Sequence, residues 1–113
     1  MKYIVAGGRD FANRGRLCNV LAMLLAEDDT VITGMARGAD RLAWEIAKEW
    51  HYDLEEFPAE WDKYGKSAGY RRNVQMAERA DALIAFWDGQ SKGTKHMIDI
   101  ALEHGIDVHV YRY

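Results

Sequence analysis

Three glycine-bearing segments, each set directly after an apolar β-like run, constrain this chain more than any other feature. They are Gly7-Gly8-Arg9-Asp10 after KYIVA, Gly34-Met35-Ala36-Arg37-Gly38-Ala39-Asp40 after TVIT, and Asp88-Gly89-Gln90-Ser91-Lys92-Gly93-Thr94 after ALIAFW. The last two lead straight into helical patterns. In an open parallel α/β sheet the carboxyl ends of the strands share one edge, so three such turns would meet at one crevice. Glycine lets backbone approach a ligand closely, and the first N–H groups of a helix lack internal partners. Together they make an anion site suited to phosphate.

The rest of the chain alternates to match. Lys2–Ala6 reads as a buried strand, and Leu17, Val20, Leu21, Leu24 and Leu25 follow helical spacing. Thr30–Thr33 is a short β-branched strand, and Leu42, Ala43, Ile46, Ala47 and Trp50 mark a second helix, with Trp44 and Trp50 assigned to the core. Leu54–Phe57 is a polar strand ended by Pro58, which suits a sheet edge. Residues 59–68 read as irregular, a third helix runs from Tyr70 to Arg79, and Ala82–Trp87 is the most apolar strand. Thr94–His104 is a fourth helix stopped by Gly105, and Asp107–Tyr111 is a fifth strand. Right-handed crossovers turn this order into a three-layer Rossmann-like α/β open parallel sheet of five strands, order 3-2-1-4-5. The topological switch then lies between strands one and four. Residues 1–113 read as one domain, without repeat, linker or low-complexity stretch.

Composition excludes several classes. The net charge of −3 gives no reason for sequence-independent binding to duplex DNA or to anionic membrane, although Arg9, Arg37, Lys66, Arg71, Arg72 and Lys92 fall in or near the crevice loops. One cysteine, Cys18, excludes an internal disulfide and a cysteine metal cluster, and its helical context reads as a small buried thiol. The histidines at 51, 96, 104 and 109 lack metal-ligand spacing. No signal peptide opens the chain, and no apolar run approaches the ~18–20 residues of a bilayer span, so a cytoplasmic protein is the expectation.

The turns carry the chemistry. Arg9 can neutralise a phosphate through two donors. The segment from Gly34 lacks the Lys-Ser/Thr pair of a P-loop and is not GxGxxG, yet it would set amide donors at a helix N-terminus. Asp40 there could cap the helix or accept from a ribose hydroxyl. Gly89-Gln90-Ser91-Lys92-Gly93 matches the GxSxG pattern of serine hydrolases, but that fold needs a sheet roughly twice this size, with its acid and histidine on later strands. Ser91 and Thr94 therefore read as hydroxyl donors to phosphate. The stretch from Trp61 to Asn73 is aromatic and basic; its rings could stack on a base while Lys66 and Arg72 reach phosphates.

GGRDF, TGMARGADRLA, Lys66-Ser67-Ala68-Gly69 followed by Arg72-Asn73 and Met76, Ala80-Asp81-Ala82, and FWDGQSKGT together resemble the YspA/cpYpsA-related branch of the SLOG superfamily, over nearly the whole chain. The resemblance implies a Rossmann-like fold that binds nucleotides or their derivatives; small members are common in bacteria and phages. The superfamily includes LOG phosphoribohydrolases, which cleave nucleoside monophosphates to base and ribose phosphate. Arg72, Met76, Ala80, Asp81, Gly93 and Thr94 fit their frame. Gln90-Ser91 replace the double glycine, and Met97 stands where the catalytic glutamate would be. A related DNA-processing protein of transformation binds single-stranded DNA, a use the acidic balance here argues against.

The candidate ligand-binding residues are Gly7, Gly8, Arg9, Asp10, Gly34, Arg37, Gly38, Ala39, Asp40, Lys66, Arg72, Asn73, Trp87, Asp88, Gly89, Ser91, Gly93 and Thr94. They point to binding of a nucleotide or nucleotide-derived small molecule. No catalytic residue, resident cofactor or metal is expected, and homo-oligomerisation is left open. The alternatives are a hydrolase acting on a nucleotide N-glycosidic or phosphate bond, through Asp10, Asp40 or Asp88, and a single-stranded nucleic-acid-binding module.

Overall fold

A computed structural model describes residues 1–113. The elements are β1 (Lys2–Gly7), α1 (Arg14–Leu24), β2 (Thr30–Thr33), α2 (Ala39–Glu49), β3 (Asp53–Glu56), α3 (Trp61–Tyr64), a 3-10 turn (Gly65–Ser67), α4 (Ala68–Arg79), β4 (Ala82–Trp87), α5 (Lys92–Glu103) and β5 (Asp107–Arg112). The five strands are all parallel, in the order β3-β2-β1-β4-β5.

Apolar runs in β1 and β4 reflect burial on both faces. Tyr3, Val5, Val31, Ile84 and Phe86 face Leu17, Leu21, Ala43 and Ile46 on the α1/α2 side. The alternate residues Ile4, Ile32, Leu83 and Ala85 face Met76, Ala77, Met97, Ile98 and Ala101 on the α4/α5 side. β3 has no fully buried residue, and its Glu55 binds Lys2 Nζ (2.6 Å) and Arg79 (2.8 Å). A polar edge strand of this kind discourages further pairing. No helix is long and apolar enough to cross a membrane.

Three expectations are corrected. Residues 59–68 are not irregular throughout: α3, the 3-10 turn and the start of α4 at Ala68 fill most of them. Neither α3 nor the 3-10 turn has a buried residue, so no apolar stripe announces them. Lys63 and Tyr64 donate to the Glu60 carbonyl, and Arg71 stacks over Tyr64. Trp44 and Trp50 are not core. The buried stripe of α2 is Ala39, Asp40, Ala43, Ile46 and Ala47. Trp44 lies beside it, half-buried, donating Nε1–H to Glu56 Oε2 (3.0 Å) with Arg41 and Lys48 over its ring. Trp50, just past the end of α2, is 39% exposed. Cys18 is free and half-buried rather than enclosed, packing at the margin of the α1/α2-side core.

Candidate functional site

β1 and β4 are neighbours whose following chains leave toward opposite faces, which opens a crevice beyond their carboxyl ends. A cleft of about 500 Å³ occupies it. Its base is a tight turn after β1. Gly8 N–H donates to Phe86 O (3.1 Å) and Phe11 N–H returns to Gly8 O (3.2 Å), while the Phe11 ring packs on Phe86 with centroids 4.4 Å apart. A Cβ on Gly7 would sit 2.6 Å from Phe86 O and 2.8 Å from Ala39 Cβ. Gly38, at φ +90°, brings the start of α2 against the Gly8 carbonyl, where a side chain would collide with backbone. The two glycine turns thus touch main chain to main chain.

Charge is concentrated where they touch. Asp40, in the first turn of α2, is 4% exposed yet lines the cleft. Burial pushes its pKa up to about 6, against the pull of the Arg72 guanidinium and of the Ala36, Gly34 and Gly7 backbone N–H groups. Arg72 comes from α4 and donates to Gly34 O (2.5 Å) and Asn73 Oδ1 (3.0 Å). Its burial, and more weakly the nearby Arg9, lower its proton affinity, while Asp40 raises it. Asn73 is buried and contacts Gly93 O (3.4 Å) and His96 Nδ1 (3.1 Å), tying α4 to α5. Burial lowers the His96 pKa, so the neutral ring that can accept from Asn73 is favoured. Trp61 and Tyr70, both about half exposed, form the outer wall, and Met76 and Met97, each 1% exposed, form the floor.

These contacts bring GGRDF, the TGMARGAD turn and the α4 arginine to one crevice. A family model described as YspA, cpYpsA-related SLOG family matches residues 1–64. The chain belongs to that SLOG family. It is also similar to the Gene 61 protein of Mycobacterium phage D29, at 34% identity over 116 residues, covering 95% of this chain and 93% of the phage protein. No solved structure matches it.

Most of the residues expected in this SLOG site line the one cleft: Gly7, Gly8, Arg9, Asp10, Arg37, Asp40, Lys66, Arg72, Asn73, Asp88, Ser91, Gly93 and Thr94. Gly34 instead lines a neighbouring cleft, under the Arg72 guanidinium. Gly38 and Ala39 stand behind the wall as packing. Trp87 and Gly89 lie under Arg112, whose guanidinium stacks on the indole and lies against Gly89. The turn after β4 is already internally bonded. Asp88 Oδ1 accepts from Gln90 N–H and Ser91 N–H (both 2.8 Å), which lowers its pKa. Ser91 Oγ caps α5 by accepting from Thr94 N–H (3.3 Å) and pairs with Thr94 Oγ1 (3.0 Å).

Trp61 and Tyr70, read in the sequence as rings that could stack on a base, line the cleft, as do Met76 and Met97, which were not among the candidate residues. The signal for the methionines was helical phase. Met76 is one turn beyond Arg72 in α4, and Met97 nearly one turn beyond Thr94 in α5.

Proposed function

We propose that this SLOG chain binds a nucleotide or nucleotide-derived small molecule in the cleft between β1 and β4. The observation that carries the reading is the gathering of guanidinium groups, carboxylates and aromatic rings in one concavity. Arg9, Arg37 and Arg72 offer guanidinium donors, and Trp61 and Tyr70, both about half exposed, offer ring faces. The carboxylates of Asp10, Asp40 and Asp88 are acceptors suited to ribose hydroxyls or exocyclic amines. The volume of about 500 Å³ suits a small ligand. Family membership supports a nucleotide-related ligand in general and names none.

Binding is favoured over hydrolysis. Glycosidic cleavage requires a group that stabilises developing oxocarbenium charge or activates water. A thioether does neither, and Met97 is packed into the α4/α5-side core; of the cleft's carboxylates, Asp10 accepts from the Tyr113 hydroxyl (2.5 Å), Asp88 from two backbone N–H groups, and Asp40 faces Arg72. The test is a thermal-shift screen of nucleotides, cyclic nucleotides and ADP-ribose, followed by calorimetry. A ligand at about 100 times its dissociation constant adds about 2.7 kcal/mol of stability. Absence of stabilisation by every nucleotide, with stabilisation by single-stranded oligonucleotide, would replace this reading with a nucleic-acid-binding one.

A further inference from the structure

A second cleft of about 390 Å³ adjoins the first on the far side of the β2 turn. The two share Arg9, Ala36, Arg37, Trp61 and Arg72, so three guanidinium groups stand at the seam between them. The charge on the two sides differs. The first cleft mixes cations with the carboxylates of Asp10, Asp40 and Asp88; the second has the three arginines and no acidic side chain.

Two of the three seam arginines lack an acidic partner. Arg9 and Arg37 are exposed and take part in none of the ion pairs of the molecule. Arg72 donates to a carbonyl and an amide oxygen and faces Asp40, which favours its charge, while Arg9 more weakly disfavours it. Three guanidinium groups that share one carboxylate keep an excess of positive charge, which an anion placed among them stabilises. The turn before α5 is the poorer place for that anion. Its N–H groups at 90, 91 and 94 are already engaged, and a phosphate there would face the Asp88 carboxylate.

We infer that the arginine seam and the second cleft form a polyphosphate subsite. The first phosphate lies between Arg9 and Arg72, and the following phosphates run past Arg37 along Trp61 and Pro58. The ligand class is a nucleoside di- or triphosphate rather than a monophosphate. The nucleoside half of this statement rests on the reading of the first cleft; the phosphate half rests on the seam alone.

The experiment is calorimetry on the intact chain in magnesium-free buffer, with adenosine and guanosine mono-, di- and triphosphates and with inorganic tripolyphosphate. The triphosphate of at least one base binds at least tenfold more tightly than its monophosphate, and tripolyphosphate competes with it. Arg37→Ala weakens the triphosphate more than the monophosphate. Ala59→Glu places a carboxylate in the second cleft only; it weakens the triphosphate at least tenfold and the monophosphate less than threefold, with an unchanged circular dichroism spectrum. Equal affinity for mono- and triphosphates, or a triphosphate preference that survives both substitutions, overturns the subsite and leaves the nucleotide reading standing. Tripolyphosphate binding that is lost in Arg37→Ala, with no nucleotide bound, supports the subsite and removes the nucleotide reading. No binding by any of these probes overturns the subsite, and the nucleotide reading falls with it if cyclic nucleotides and ADP-ribose also fail to bind.

Discussion

Asp40→Asn is the substitution whose effect follows most directly from the structure. Asp40 is 4% exposed, and burial pushes its pKa up to about 6 from an ordinary value of 3.8. A raised carboxyl pKa means that the native state holds the proton more tightly than the unfolded chain. Its contribution is therefore fully present below pH 3.8 and is lost as pH rises through 6. At 1.36 kcal/mol per pK unit, ionising Asp40 in place costs about 3 kcal/mol by pH 8. Asparagine has the shape of the protonated acid and does not ionise. The difference in unfolding free energy, variant minus wild type, should thus rise by about 2.5 kcal/mol between pH 4 and pH 8. Any fixed offset from exchanging acid for amide cancels in that change, as does the titration of every other group that the substitution leaves alone. The assay is urea denaturation of both proteins at half-unit pH steps. A flat difference would mean that Asp40 ionises as it does in water; a falling one would mean that attraction to Arg72 outweighs burial. The wild-type chain at neutral pH carries this cost at the cleft, where a bound hydroxyl or amine would offset it.

Four further outcomes follow from the same geometry. Arg72→Ala should weaken a confirmed nucleotide ligand ten- to a hundredfold, the equivalent of roughly 1.5–3 kcal/mol for a charged hydrogen bond; unchanged affinity in calorimetry would remove Arg72 from the site. Gly7→Ala, whose Cβ would press on Phe86 O at 2.6 Å, should lower stability by about 1–3 kcal/mol in denaturant titration, and a neutral result would show that β1 and β4 can separate at no cost. Prolonged incubation with AMP should release no free base by chromatography; turnover abolished by Asp10→Asn or Asp88→Asn would promote the hydrolase reading. The His96 imidazole should titrate below ~6.5 by NMR, so its contribution to stability is present above that pH and is lost as pH falls; a midpoint above it would dissolve the Asn73–His96 link.

The strand order, the switch between β1 and β4, and the meeting of the first two glycine turns were legible in the sequence. They depend on local patterns: apolar runs long enough for burial on both faces, helical spacing between them, and the handedness of parallel crossovers. The cleft's membership was legible in large part for the same reason, since the strand ends that carry it share one edge. Tertiary structure decided how those residues are used. Ser91 and Thr94 had the composition of an anion cradle, but folding turns their backbone N–H groups onto Asp88 Oδ1 and Ser91 Oγ and pairs their hydroxyls with each other. Gly89 had the look of a ligand turn until Arg112, from the far end of the chain, came to lie against it. Trp44 and Trp50 followed the helix but fell outside its buried stripe, a matter of angle that an indole's size obscures. Arg9, Arg37 and Arg72 come from three separate elements and become one cationic seam only in three dimensions. Periodicity is written between near neighbours, whereas competition for a hydrogen-bond donor or a counter-charge is settled between residues that meet only after the sheet has formed.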